Sequence, residues 1–142
     1  MAQQMTAEER RRFLTAGTRT LKVATVRADG RAHVVPVWFV LDGDTVVFTT
    51  GEDTLKGRHL RRDPRVALCA DDETPPFAFV LIEGTAELTR NAPDLLDWAT
   101  RIAQRYMGAD LAAAYGQRNA VDSELLVRVT PTRIVAQSGV SD

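Results

Sequence analysis

The 142-residue chain has little of what several large classes of protein depend on. It has one cysteine, Cys69, which excludes an intramolecular disulfide and any cysteine-based metal cluster. Cys69 lies in the apolar run from Val66 to Ala70, the usual setting of a buried structural thiol. His33 and His59 are its two histidines, with too few acids nearby in sequence to suggest a metal site, so each is expected in a structural or solvent-facing role. The three serines, Ser123, Ser138 and Ser141, sit in no G-x-S-x-G elbow, which leaves a Ser-His-Asp hydrolase without its nucleophile. No apolar run reaches the roughly 20 residues needed to span a bilayer. The opening residues MAQQMTAEERRRF lack the apolar core of a signal peptide, so a cytoplasmic location is the expectation. A formal net charge of −1 argues against a general nucleic-acid binder.

What is present reads as one ordinary domain over residues 1–142, with no repeat, linker or low-complexity segment. With 44% hydrophobic residues, a chain of this length can bury about two thirds of its unfolded surface and needs no staples. Thr6-Ala7-Glu8-Glu9 fits a capping box, which predicts a helix to about Ala16, ended by Gly17. Leu21 to Arg27 and Ala32 to Leu41 read as strands joined by the Ala28-Asp29-Gly30 turn. Asp42-Gly43-Asp44 then turns the chain into a strand from Thr45 to Thr50, giving a three-stranded meander.

Further strands are expected over Val66 to Ala70, over Phe77 to Leu88 with a bulge or bend at Gly84, and over Glu124 to Val135 with a bend at Pro131. Asn91 reads as the cap of a helix over about Ala92 to Met107, followed after Gly108 by a shorter one from Ala109 to Tyr115, stopped by Gly116. Six short strands with few helices between them predict a mainly β, α+β chain, a closed or split β-barrel of antiparallel strands.

The segment TVVFTTGEDTLKGRHLRRDPRV, Thr45 to Val66, carries the chemistry. A strand runs into a small polar loop, and the loop starts a helix from about Thr54 to Arg62 that Asp63-Pro64 stops. Small hydroxyls, a glycine and Lys56 at a strand-to-helix junction suit a phosphate, because the first N–H groups of a helix are free and its dipole favours an anion.

Two strands are apolar on both faces. In the second, His33, Val35, Val37, Phe39 and Leu41 face one way, and Val34, Pro36, Trp38 and Val40 the other. In the fifth, Ala78, Val80, Ile82, Ala86 and Leu88 suit a barrel interior, while Phe77, Phe79 and Leu81 point out. Antiparallel strands usually keep one face wet, so an outward apolar row predicts a cover. With few helices to spare, that cover is expected to be a second copy of the chain.

The order of these elements, with LKVATVRADGRAHVVPVWFV, FTTGEDTLKGRHLRRDPRVAL and FVLIEGTAEL in sequence, resembles the flavin-reductase-like split-barrel family related to pyridoxamine 5′-phosphate oxidase. More narrowly, it resembles the actinobacterial branch that uses the deazaflavin coenzyme F420. The resemblance covers nearly the whole chain and implies an FMN-binding-like split barrel with the cofactor in a groove between two subunits. It implies that Val35, Pro36, Val37 and Trp38 line the ring system and that Thr49, Thr50 and Gly51 meet ring or ribityl oxygens. Thr54 and Lys56 would hold the phosphate, and Phe79 of the other subunit would close the pocket. Arg58, Arg61 and Arg62 would suit the anionic tail of F420. Relatives often carry Arg where this chain has Thr54, which leaves Lys56 as the main cation.

The implied activity is hydride transfer from reduced F420 to an electron-poor conjugated small molecule such as an enone, quinone or tetrapyrrole. No side chain is assigned as the acid, and solvent would supply the proton. An FMN-dependent oxidoreductase and a non-catalytic cofactor carrier are the alternatives.

Overall fold

The stretch from Ala32 to Asp42 forms two strands rather than one, and the architecture follows from that break. A computed structural model describes residues 1–142. The elements in order are β1 (Gln3–Gln4), α1 (Ala7–Thr15), β2 (Leu21–Val26), β3 (Ala32–Val37), β4 (Val40–Asp42), β5 (Thr45–Gly51), α2 (Leu55–Arg62), β6 (Arg65–Asp72), β7 (Ala78–Arg90), α3 (Leu95–Met107), α4 (Ala109–Asn119) and β8 (Glu124–Ser138). The strands form one antiparallel sheet in the order β3-β2-β6-β7-β8-β5-β4, with β1 beside β8. Its two end strands, β3 and β4, are consecutive in the chain and separated only by Trp38 and Phe39. One extended segment therefore serves both edges of the sheet and curls it into a split barrel. The class is α+β, mainly antiparallel sheet with four helices.

The expected meander is corrected accordingly. β3 pairs with β2 from Val26↔Ala32 to Leu21↔Val37, whereas β4 pairs with β5 from Val40↔Val47 to Asp42↔Thr45. At the changeover Phe39 belongs to neither ladder, and its backbone polar groups need other partners. Helix α3 supplies them. The Phe39 N–H donates to the Tyr106 hydroxyl at 3.3 Å, and Arg105 Nη1 donates to the Phe39 carbonyl at 2.8 Å. The same guanidinium reaches the carbonyls of Leu14 at 2.7 Å and Gly17 at 3.0 Å, just where α1 ends.

The alternation read from sequence holds on both doubly apolar strands. Inside the barrel, Val37, Phe39, Val46, Phe48, Val80, Ile82, Val127 and Val129 are buried together. Leu14 of α1 and Leu60 of α2 join them from the helices. A second, smaller core holds Val47 and Leu126, on the outer face of β5 and β8, against Leu95 and Trp98 of α3. Gly84 marks the expected bulge: the β7·β8 register shifts between Glu83 and Gly84, and a Cβ there would lie 2.6 Å from the Thr130 carbonyl oxygen.

Two helix boundaries are corrected. Asn91 does not cap α3. It takes a left-handed conformation, φ 54°, in the turn after β7, and Asp94 precedes the helix. Gly116 does not stop α4, which runs on to Asn119. The glycine instead lets α4 approach α3, where a Cβ would strike Thr100.

Arg105 ties three segments together through charge-assisted bonds to carbonyls that have no ladder partner. Arg105→Ala is expected to cost about 2–4 kcal/mol, read from the midpoint of urea unfolding at unchanged slope. Arg105→Lys should recover less than half of that, since an ammonium lacks the fork. A loss below about 0.5 kcal/mol for the alanine variant would mean that the changeover holds without α3.

Candidate functional site at the β5–α2 turn

Strand β5 delivers Thr49, Thr50 and Gly51 to the start of α2 because its pairing with β8 runs to the last residue, Gly51↔Glu124. Thr50 faces inward and is buried, with its hydroxyl 3.0 Å from that of Thr54. Thr54 is the N-cap of α2. Its hydroxyl accepts from the Gly57 N–H at 3.1 Å and lies 2.8 Å from the Gly51 carbonyl, to which it donates. The turn is so tight that a Cβ on Gly57 would collide with that same carbonyl. No acidic side chain occupies the first turn of α2, so nothing on the helix itself neutralises its N-terminus.

Lys56 is half-buried at this corner and makes no hydrogen bond or ion pair within the chain. Burial pushes its pKa down, and the nearby Glu124 opposes that shift. Burial pushes the Glu124 carboxyl up, opposed by the nearby Thr49 hydroxyl and by Lys56. The arginines of α2 differ in how much of their charge is already engaged. Arg61 donates to the Glu52 carbonyl at 3.1 Å, and Arg62 donates to the Val26 carbonyl. Arg58 has no side-chain partner and is exposed. Glu52 is bound by Arg90 at 2.9 Å.

On the other side of α2, His59 is 6% exposed, and its Nδ1 lies 2.9 Å from the Thr25 hydroxyl. His33, the ladder partner of Thr25, meets the His59 ring edge to face at 5.2 Å. The two histidines are thus packed together under α2.

The outer face of β3, β2, β6 and β7 carries no helix. Val34 is 62% exposed there, and Phe77, in the turn before β7, is 39% exposed. Two wide concavities lie on this face. One, of about 650 Å³, is lined by Lys22, Cys69, Asp71, Phe77 and Phe79 among others, and one of about 470 Å³ by Ala24, Val26, Ala67 and Thr85 among others.

The profile of the family described as pyridoxamine 5′-phosphate oxidase matches residues 6–138. This chain belongs to that family. The family binds flavins such as flavin mononucleotide. Among solved structures, this chain is similar to a conserved hypothetical protein of Mycobacterium tuberculosis, at 26% identity and TM-score 0.83, over 96% of this chain and 87% of the other. It is also similar to an F420 reductase at 25% identity and TM-score 0.68, over 87% of this chain and 94% of that one. A heme storage protein of Vibrio cholerae shares the fold at 19% identity and TM-score 0.74, over 97% and 100% of the two chains.

In this family member the residues singled out from sequence fall into three groups. Thr49, Thr50, Gly51, Thr54 and Lys56 are brought together at one turn, with Arg58 and Arg61 on the helix that leaves it. Val35, Pro36 and Val37 lie on the edge strand β3, and Trp38 follows at the changeover, with one ring face stacked on Tyr106 at 5.0 Å. Phe79 stands on the open face and alone among them lines one of its two concavities. Sequence reasoning missed Glu124. Its number marks only the start of the last strand, and the β5·β8 register is what sets it opposite Gly51. The Thr25–His59–His33 contact was likewise invisible, because it joins three elements.

His59 supplies a test of this packing. Burial, together with the neighbouring His33, Arg62, Arg27 and Arg58, lowers its pKa below the ordinary 6.5. The unfolded chain therefore binds a proton first as pH falls. Stability should be flat above about pH 7 and decline below the ordinary histidine value, by up to ~1.4 kcal/mol per pH unit, until the folded form also protonates. His59→Gln should remove that decline in pH-dependent thermal melts. An unchanged profile would assign it to other groups.

Proposed function

We propose that this chain is an oxidoreductase that binds coenzyme F420 between two copies of itself and passes a hydride to an electron-poor conjugated small molecule. Residues 1–142 act as a single cofactor-binding domain, and the setting is cytoplasmic. The observation that carries the reading is Lys56, a half-buried cation without an intrachain partner at the start of a hydroxyl-capped helix. The donor set fits a phosphate: an ammonium and the Leu55 and Lys56 N–H groups of the first turn of α2, which have no acceptor within the chain. The similarity to an F420 reductase supports the deazaflavin over flavin mononucleotide, and Arg58, whose guanidinium is unengaged, is suited to the coenzyme's anionic tail. When bound, F420 supplies the hydride.

The chain's own residues position and shield. Thr54 fixes the turn, and Lys56 anchors the phosphate end. Thr49 and Gly51 would meet ring or ribityl oxygens, while Thr50, buried with its hydroxyl engaged by Thr54, supports the turn from below. Pro36, on the outer face of β3, offers an apolar surface flanked by the backbone of Val35 and Val37, whose side chains point into the barrel, with Trp38 locked by Tyr106 at its end. The uncovered face of β3, β2, β6 and β7 is the surface a second copy would bury, and Phe79 of that copy would complete the pocket. No side chain is assigned as proton donor, because His33, the nearest histidine in sequence to Pro36, is packed against His59. A flavin mononucleotide enzyme is the second reading, favoured by the family's flavin binding.

Light scattering at micromolar concentration should give a homodimer; a monomer would remove the shared groove. Lys56→Ala should weaken F420 binding by about ten- to a hundredfold, the worth of a charge-assisted contact of roughly 1.5–3 kcal/mol, while the cofactor-free melting temperature moves little. Equal affinity in variant and native protein would place the phosphate elsewhere. Native protein should bind F420 more tightly than flavin mononucleotide, with the gap narrowing as salt rises. A yellow protein as purified, with no F420 binding, would favour the second reading.

A further inference from the structure

The corner that holds Lys56 also holds a carboxylate. Glu124 opens β8 directly opposite Gly51, and its Oε1 lies 3.7 Å from the position a Cβ on Gly51 would occupy. Its carboxylate thus overlies the turn made by Thr49, Thr50 and Gly51. Lys56 of α2 is the charged group that faces it, and Thr49 of β5 is the hydroxyl that does. The next acid along the turn, Glu52, is bound by Arg90 of β7. Glu124 has no such arginine. A fixed negative charge beside an anion site is a selection device. Glu124 offsets the single positive charge of Lys56, so the net attraction of the corner grows little when an anion goes from charge −1 to −2, whereas the cost of taking that anion out of water grows with the square of its charge.

We infer that Glu124 sets which phosphate this corner accepts, favouring a phosphodiester monoanion over a phosphomonoester dianion. The inference rests on the reading above that Lys56 holds a cofactor phosphate. The two candidate cofactors differ in this respect: flavin mononucleotide ends in a monoester, which gains its second charge near pH 6, while the phosphate of F420 is a diester with a single charge throughout. Specificity here comes from a like charge aimed at the wrong ligand as well as from contacts to the right one. Glu124 is half-buried, so its charge is less screened by solvent than that of an exposed acid.

The test is to titrate native protein and Glu124→Gln with flavin mononucleotide, riboflavin and F420 by fluorescence between pH 5.5 and 8.5. For native protein, flavin mononucleotide should bind about tenfold more weakly at pH 8 than at pH 5.5, while F420 changes less than threefold. Glu124→Gln should tighten flavin mononucleotide about tenfold or more at pH 8 and flatten or reverse its pH profile, with F420 tightened less than threefold. Riboflavin, which has no phosphate, should be indifferent to the substitution. Glu124→Ala, checked for an intact melt, should reproduce the pattern if the glutamine variant folds poorly.

Tightening of both cofactors by the same factor, or no gain for flavin mononucleotide, would overturn the inference while leaving the cofactor reading intact. Native protein that binds neither cofactor, or Lys56→Ala that binds both as well as native protein, would overturn the cofactor reading and the inference with it.

Discussion

The structure depends on how the chain crosses from one half of the barrel to the other at Phe39. A strand that changes partners strands its own backbone, because an N–H and a C=O that leave one ladder before entering the next have no sheet acceptor or donor. Here the ring of Phe39 is buried inside the barrel, so water cannot serve instead. Tyr106 and Arg105 meet both groups from α3, and the same arginine caps the end of α1. Helix α3 is held in turn by the apolar stripe of Leu95 and Trp98 on the outer face of β5 and β8. The closure of the sheet and the docking of its largest helix are thus one cooperative arrangement.

That arrangement divides the outside of the barrel. α3, with α4 packed on it, covers the half built from β4, β5 and the start of β8, while β3, β2, β6 and β7 keep a bare outer surface. The β5–α2 turn lies on the covered half's strand but sends α2 toward β2, so the candidate phosphate corner and the bare face are joined by a single short helix. Loops and helix starts carried by a rigid sheet are where binding groups are expected to concentrate. Rigidity here has a local source: Thr54 bridges Thr50, Gly51 and Gly57, and the missing side chain at Gly57 lets the helix sit directly on the Gly51 carbonyl.

Much of this was legible in the sequence, and the failures share a cause. The capping box at Thr6, the hairpin at Asp29-Gly30, the Gly84 bulge and the inward and outward rows of the fifth strand are local or periodic signals, and they held. The break at Trp38-Phe39 carries no local signal, since alternation continues straight through it; only the partners change. Asn91 has a capping residue's chemistry but spends it on a left-handed turn. Gly116 reads as a stop but serves a helix contact. The phosphate turn was recognisable because strand, hydroxyls, glycine and lysine are contiguous. Glu124 was not, because 68 to 75 residues separate it from Lys56 and Thr49 and only sheet register unites them.

The double use of residues 32–42 also bears on how this chain can vary over evolutionary time. Inserting or deleting one residue between β3 and β4 would turn every following side chain of β4 to the opposite face and pull Phe39 away from both α3 groups at once. Such a change cannot be absorbed by a neighbouring loop, because no loop is there. The turn between β6 and β7, around Thr74 to Phe77, has no comparable obligation to two ladders. Length variation among relatives is therefore expected to collect in turns of that second kind and to be nearly absent from the crossing, even where residue identities there have drifted.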